Sequence, residues 1–178
     1  MSNRTAVFVG GLVGVVVVAT ACRGGSGVGK VSPAAPTNLP PSVALSLERG
    51  PCYGRCPEYL VELFDNGAVR FDGRKNVGAL GEQHAAIPAA DVASLLERFA
   101  TGGFPAADSA YVEGSPHCGR FFTDGPSAVL SAQLGGTLKV ARHDAGCMDA
   151  PQFLKTLAAQ IDSVARTGRW IAIGNGEK

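Results

Sequence analysis

An Asn66-Gly67 dipeptide between two alternating segments is the feature that most restricts how this chain can fold. Residues 59–64 alternate between two sides of an extended strand, and residues 68–72 follow the dipeptide with a similar pattern. Asn-Gly is the strongest short-range sequence signal for a β-hairpin. The sequence therefore predicts two antiparallel neighbouring strands here.

Other segments repeat this alternation. Residues 42–49, 128–134 and 138–142 each place apolar side chains at every second position, which predicts half-buried strands. Gly135-Gly136 separates the last two and predicts a second hairpin. A weaker strand is predicted over residues 82–87, and residues 104–125 are predicted to be irregular.

Two segments carry a single apolar stripe at helical spacing. In the first, which follows Pro88 and stops at Gly102-Gly103, the stripe is Val92, Leu95, Leu96 and Phe99. In the second it is Leu154, Leu157, Ala158, Ile161 and Ala165, after a predicted capping box of Asp149 and Gln152 with Pro151 in the first turn. Trp170, just past this helix, is expected to fill the core.

Each helix has one apolar face, so both are expected to pack on the same face of an antiparallel sheet. The fold class predicted is a two-layer α+β domain over residues 42–172, followed by a disordered tail at 173–178. The formal net charge of the 178-residue chain is only +1, so no nucleic-acid partner is expected.

The first 22 residues resemble an export signal. Arg4 precedes an uncharged run over residues 5–21, which is shorter than the roughly 20 apolar residues of a spanning helix. The run ends in Ala-Thr-Ala-Cys, which resembles the lipobox of bacterial lipoproteins, with Ala19 where leucine is usual. Residues 1–21 are therefore interpreted as a lipoprotein signal peptide, and Cys22 as the lipidated residue. An uncleaved anchor and plain secretion remain alternatives.

The segment after Cys22 is rich in Gly, Ser and Pro. Residues 22–41 are predicted to be a tether that holds the domain off a membrane. Arg23 stands where inner-membrane lipoproteins typically have aspartate, so an outer-membrane or cell-surface location is expected if the cell has two membranes.

Four cysteines remain once Cys22 is assigned to the lipid. An even number in an exported domain indicates two disulfides, and three pairings are possible. We favour Cys52–Cys56, which are close in sequence, and Cys118–Cys147, which flank the second hairpin.

Metal or redox chemistry is the alternative use of these cysteines. Cys-x-x-x-Cys-Pro resembles the copper motif of the Sco assembly proteins, so a copper or thiol redox chaperone could use Cys52 and Cys56 with a histidine such as His143. A second, zinc-like set is His117, Cys118, His143 and Cys147. In an oxidising compartment the disulfide interpretation is favoured, so no cofactor is expected.

The spacing Gly50-x-Cys52-x-Gly54-x-Cys56-Pro57-x-Tyr59, followed by a strand and Asp65-x-Gly67, resembles a bacterial family, domain of unknown function 6438. The similarity extends over about residues 45–170. It implies a fold and an exported setting, and it implies no reaction.

The remaining polar candidates lie in the long predicted loop. Asp108, Tyr111, Glu113 and Asp124 could line a site, although such residues more often cap turns. No nucleophile elbow, phosphate-binding glycine loop or Ser/His/Asp order is present in the sequence, so no catalytic residue is assigned. The leading interpretation is a non-catalytic binding or structural module that meets an unknown envelope protein or ligand.

Overall fold

The computed structural model describes residues 41–172, which form one sheet with helices packed against it. The predicted signal peptide, Cys22, nearly all of the predicted tether and the predicted tail lie outside the described residues. In chain order the elements are β1 (Val43–Arg49), β2 (Glu58–Phe64), β3 (Ala68–Lys75), β4 (Gly81–Ala86), α1 (Ala89–Thr101), β5 (Ala110–Tyr111), β6 (Ser127–Leu134), β7 (Thr137–Asp144), α2 (Gln152–Ala165) and α3 (Gly168–Ile171).

The sheet has the strand order β4-β3-β2-β1-β6-β7-β5. Every pairing is antiparallel except that of the two-residue strand β5, which runs parallel to β7. The predicted hairpin is present between β2 and β3. Its turn is held by Gly67 at φ +89° and by the Asn66 side chain, which accepts a hydrogen bond from the backbone N–H of Ala68 at 3.0 Å.

Both long helices cover the same face of the sheet, as the sequence predicts. Their buried side chains and those of the strands form one core, which includes Leu45, Leu47, Val61, Leu63, Phe71, Leu130, Val92, Leu95, Phe99, Leu154 and Ile161. Each such side chain contributes about 1.5–3 kcal/mol on burial. Trp170 stacks on Phe71 with ring centroids 4.9 Å apart and is 9% exposed, so it fills the core as expected. The α+β fold class is therefore confirmed.

The start of α2 differs from the prediction. Pro151, not Asp149, occupies the capping position, with an extended ψ of 131° and no side-chain cap. Gln152 is thus the first helical residue, too early in the helix for the third position that a capping box requires. Asp149 instead accepts hydrogen bonds from the backbone N–H of Arg120 at 3.0 Å and from its guanidinium at 3.1 Å. The capping-box prediction was wrong because this carboxylate serves the preceding loop.

Within residues 41–172 no helix packs on the other face of the sheet, which we call the open face. Polar pairs cross it between neighbouring strands: the hydroxyls of Ser46 and Ser131 are 2.6 Å apart, and Glu62 pairs with Arg70. Over residues 41–172 we find no helix with the length and apolar content to cross a membrane.

Candidate functional site

The cysteine loop, residues 50–57, joins β1 to β2 at one end of the sheet. Cys52 and Cys56 form a disulfide across it, with their Cα atoms 5.8 Å apart. Strand β2 begins at Glu58, two residues after the bridge, so the chain continues from the second cysteine into a strand and not into a helix. The thiolate activation that a redox or copper function requires would therefore lack the helix dipole that usually lowers a cysteine pKa.

Gly50 permits close contact between the start of this loop and β6. Its backbone N–H donates to the Ser127 carbonyl at 2.9 Å, and a Cβ added at this position would lie 2.1 Å from the Ser127 Oγ. Gly54, at φ +139°, adopts a backbone conformation that other residues rarely reach. The glycines of the motif thus shape the loop.

Tyr59 fixes the far end of the loop to α2. Its hydroxyl donates to Asp162 Oδ1 at 2.6 Å, and the same carboxylate accepts from the Arg49 guanidinium at 2.7 Å and from the Thr167 hydroxyl at 3.0 Å. These four residues form what we call the Asp162 cluster. It connects β1, β2 and the end of α2, so both ends of the cysteine loop are held.

The cluster also sets the protonation of its members. Burial raises the pKa of the Tyr59 hydroxyl, and the adjacent Asp162 charge raises it further, so Tyr59 stays a donor. Burial by itself lowers the pKa of Arg49, but the hydrogen bond and charge of Asp162 raise it above its ordinary value. Sequence reasoning missed Asp162 and Arg49. The available signal was Tyr59 itself, since a buried tyrosine hydroxyl usually needs a partner.

The second disulfide joins Cys118 to Cys147, with Cα atoms 5.4 Å apart, beyond the end of β7. Phe121 pairs with Cys147 as an isolated antiparallel bridge, so the loop that starts at Cys118 folds back along the chain after β7. Both disulfides therefore hold loops adjoining the same end of the sheet. The chain is a disulfide-stabilised module.

The predicted metal ligands are divided between different environments. His117 Nε2 lies 3.2 Å from Asp108 Oδ2 at the surface. His143 is 4% exposed in the core, and its Nε2 has no hydrogen-bond partner in the described part of the chain. Burial, followed by the charge of Lys155, lowers the pKa of His143. Within residues 41–172 no three His, Cys, Asp or Glu side chains are placed to hold a metal ion together. The copper set with Cys52 and the zinc-like set with Cys118 are therefore not assembled in this part of the chain.

The four polar residues predicted in the long loop do not come together in one site. Tyr111 accepts a hydrogen bond from the backbone N–H of Asp108 at 3.0 Å, so these two stabilise their own turn. Asp124 accepts from its neighbour Thr123 at 3.1 Å. Glu113 lies elsewhere, in a groove on the open face.

This groove, which we call the sheet-end groove, has a volume of about 410 Å³. It is lined by Glu48, Gly50, Pro51, Val112, Glu113, Phe121, Ser127, Val129, Arg142 and Asp144. Its floor consists of two adjacent cross-strand rows. One row is Arg142, Val129 and Glu48, and the next is Asp144, Ser127 and Gly50. The absence of a side chain at Gly50 leaves the second row open.

The charges of the groove are incompletely paired. Glu48 pairs with Arg74, and Asp144 Oδ1 accepts from the backbone N–H of Gly146 at 2.9 Å. Within the region that the structure describes, the side chains of Arg142 and Glu113 make no hydrogen bond or ion pair, and Asp144 makes no ion pair. The groove therefore presents an available guanidinium and two available carboxylates beside apolar Val112, Phe121 and Val129.

A second cleft, of about 590 Å³, adjoins this groove and shares Pro51, Ser127 and Asp144 with it. The cysteine loop lines it through Cys52 and Tyr53, and Tyr53 is 87% exposed. An aromatic side chain held this far into solvent by a closed loop is suited to contact another molecule.

Comparison with known proteins locates the chain in one family. The family model "Domain of unknown function (DUF6438)" matches residues 43–165, which extend from β1 to the end of α2 and make up more than half of the chain. No curated protein matches the sequence. The match includes the cysteine loop, both disulfides and the lining of the sheet-end groove, and the chain therefore belongs to the domain of unknown function 6438 family.

Proposed function

We propose that the protein is an exported, lipid-anchored component of the cell envelope that binds a partner through the sheet-end groove and the adjoining cysteine loop. The observation that carries the binding proposal is the set of unpaired charged side chains lining that groove. Unpaired charges beside apolar side chains offer a ligand both electrostatic and hydrophobic contacts. The two disulfides support this function because they hold the loops that form the walls.

Binding is favoured over catalysis by the arrangement of the groove. Its Ser127 hydroxyl is the obvious nucleophile, yet within residues 41–172 its side chain has no hydrogen bond to a base. A serine needs an adjacent general base to act as a nucleophile. His143 lies on the neighbouring strand β7, where it pairs with Ala128, the residue after Ser127. Its side chain is on the buried face of the sheet and not in the groove.

The anchoring proposal rests on the sequence alone. A charged residue, an apolar run and small residues before Cys22 support lipidation there, and the Gly/Ser/Pro-rich segment supports a tether to the membrane. The domain would then face other envelope components from the outer membrane or the cell surface, if the cell has two membranes.

Labelling with a fatty-acid analogue tests the anchor. Wild type is expected to take up the label and to fractionate with membranes, and Cys22→Ala is expected to do neither. Equal labelling of the two proteins would show that the anchor is assigned wrongly.

A photo-crosslinking amino acid tests the binding surface in native envelopes. Placed at Tyr53 it is expected to capture a partner that the same probe at Leu80, which is 66% exposed on the β3–β4 connection, does not capture. The same products from both positions would contradict the proposed surface.

Metal analysis and non-reducing peptide mapping of the purified protein address the chaperone alternative. Stoichiometric copper, or free Cys52 and Cys56, would favour it.

A further inference from the structure

We infer that the sheet-end groove binds a short peptide with a free ammonium and a free carboxylate group, lying along the end of β7. This inference rests on the proposed function, because it assigns a ligand class to the same groove. It starts from the two charged residues of opposite sign that β7 contributes to the groove floor, Arg142 and Asp144.

Arg142 provides the site for the carboxylate. Its side chain is exposed, and no carboxylate within residues 41–172 forms an ion pair with it, although Glu48 lies only two strands away in the same cross-strand row. Glu48 is engaged by Arg74 instead. An unpaired guanidinium binds a carboxylate through two parallel hydrogen bonds, which lysine cannot provide.

Asp144 and Glu113 provide the site for the ammonium group. Asp144 uses one carboxylate oxygen to accept from the Gly146 N–H, which fixes the orientation of the side chain and leaves Oδ2 available. Glu113 reaches the groove from the segment after β5 and has no polar partner in the described residues. Two acceptors from different segments can surround a primary ammonium, which has three donors.

The spacing of these groups determines the length of the ligand. Arg142 and Asp144 are two residues apart on one face of a strand, so their Cα atoms are about 7 Å apart. An extended dipeptide spans about 7 Å between its ends. A dipeptide, or a tripeptide with a slight bend, can therefore contact both charges, with small apolar side chains against Val129 and Phe121.

Three probes separate the two charges. The full-length chain, labelled with ¹⁵N in detergent micelles, is titrated with Ala-Ala, N-acetyl-Ala-Ala and Ala-Ala amide. We expect Ala-Ala to bind about 10- to 100-fold more tightly than either blocked peptide, the range for losing a hydrogen bond to a charged group. The resonances that shift should be those of residues 127–129 and 142–144.

Two variants and one control assign the charges to residues. Arg142→Gln is expected to abolish the preference for Ala-Ala over its amide and to keep the preference over the N-acetyl form, whereas Asp144→Asn should do the reverse. Arg98→Gln, on α1 at the covered face, should keep both preferences. Thermal unfolding of each variant establishes that it is folded.

Two results would overturn the inference. One is equal binding of the three peptides, and the other is no binding by any of them. If the peptides fail while crosslinking from position 53 still captures a partner, the ligand class is wrong and the proposed function stands. If crosslinking fails as well, both are wrong.

Discussion

Removing the Tyr59 hydroxyl tests whether the Asp162 cluster holds the cysteine loop to the helical layer. Tyr59→Phe keeps the ring, which packs on Phe71 with centroids 5.1 Å apart, and deletes only the 2.6 Å hydrogen bond to Asp162. Tyr59 is 1% exposed, so water cannot enter freely to replace the hydroxyl. The substitution therefore isolates one interaction between β2 and α2.

The size of the effect follows from the charge and burial of the acceptor. A hydrogen bond to a charged group contributes about 1.5–3 kcal/mol. The Asp162 side chain is 22% exposed and keeps its bonds from Arg49 and Thr167, so we expect about 1.5–2 kcal/mol, the lower part of that range. For a domain of this size each kcal/mol lowers Tm by about 4 °C, so the expected decrease is about 6–8 °C.

A double-mutant cycle in urea makes the test specific. Tyr59→Phe, Asp162→Asn and the double variant should give a coupling free energy of about 1–2 kcal/mol. Tyr53→Phe removes a hydroxyl from a side chain that is 87% exposed, and it should change stability by less than about 0.5 kcal/mol. The reasoning is refuted if Tyr59→Phe costs no more than this control, or if the coupling is zero.

The same cluster predicts a pH dependence. Burial and then Asp162 raise the pKa of Tyr59 in the folded protein, so the folded state holds this proton more tightly than the unfolded state. The stabilisation is complete below the unfolded tyrosine pKa of about 10 and is lost as the pH rises above it. Tyr59→Phe should show a shallower loss of stability in alkaline solution, measured by urea unfolding at several pH values.

Two further substitutions test the core and the groove. Burial and the charge of Lys155 lower the pKa of His143, so its contribution to stability is present above the unfolded histidine pKa of about 6.5 and is lost as the pH falls. His143→Gln should therefore flatten the stability profile measured by urea unfolding between pH 7 and 5, and an equally steep profile would contradict this. Gly50→Ala should destabilise by about 0.5–1.5 kcal/mol because its Cβ would overlap the Ser127 Oγ and force this hydroxyl out of its present rotamer. Gly168→Ala, where a Cβ meets nothing within 4 Å, should be neutral or slightly stabilising. Equal effects of the two glycine substitutions in urea would refute the packing argument.

The elements were predictable where their causes are local. Three features depend only on residues that are close in sequence: the Asn66-Gly67 turn, the alternation of residues 59–64 and the apolar stripe of α1. The order of the strands was not predictable in this way. Strand β1 lies between β2 and β6, and its pairing of Ser46 with Ser131 joins residues 85 positions apart. Such a pairing depends on how the apolar faces of the strands and helices pack together. A short stretch of sequence does not contain that information.

The capping box at Asp149 shows how a local signal fails. The spacing to Gln152 satisfies the motif, but the extended backbone of Pro151 delays the helix and leaves the carboxylate without helical N–H groups to accept from. Arg120, 29 positions earlier, supplies two donors instead. A cap and a long-range partner compete for the same oxygen atoms, and the tertiary contact prevails here.

The sheet-end groove was the least predictable feature from local sequence, because five separate segments form it. Sequence analysis identified the cysteine loop by its motif, and Glu113 only as one of several loop acids. Arg142 and Asp144 resemble ordinary exposed strand residues until β6 and β1 are set beside them and Gly50 leaves the floor open. The charged residues that the fold pairs, such as Glu48 with Arg74, stabilise it only weakly at this exposure. Arg142, Asp144 and Glu113 make no ion pair within residues 41–172 and line the same groove, so their charges are available to a ligand.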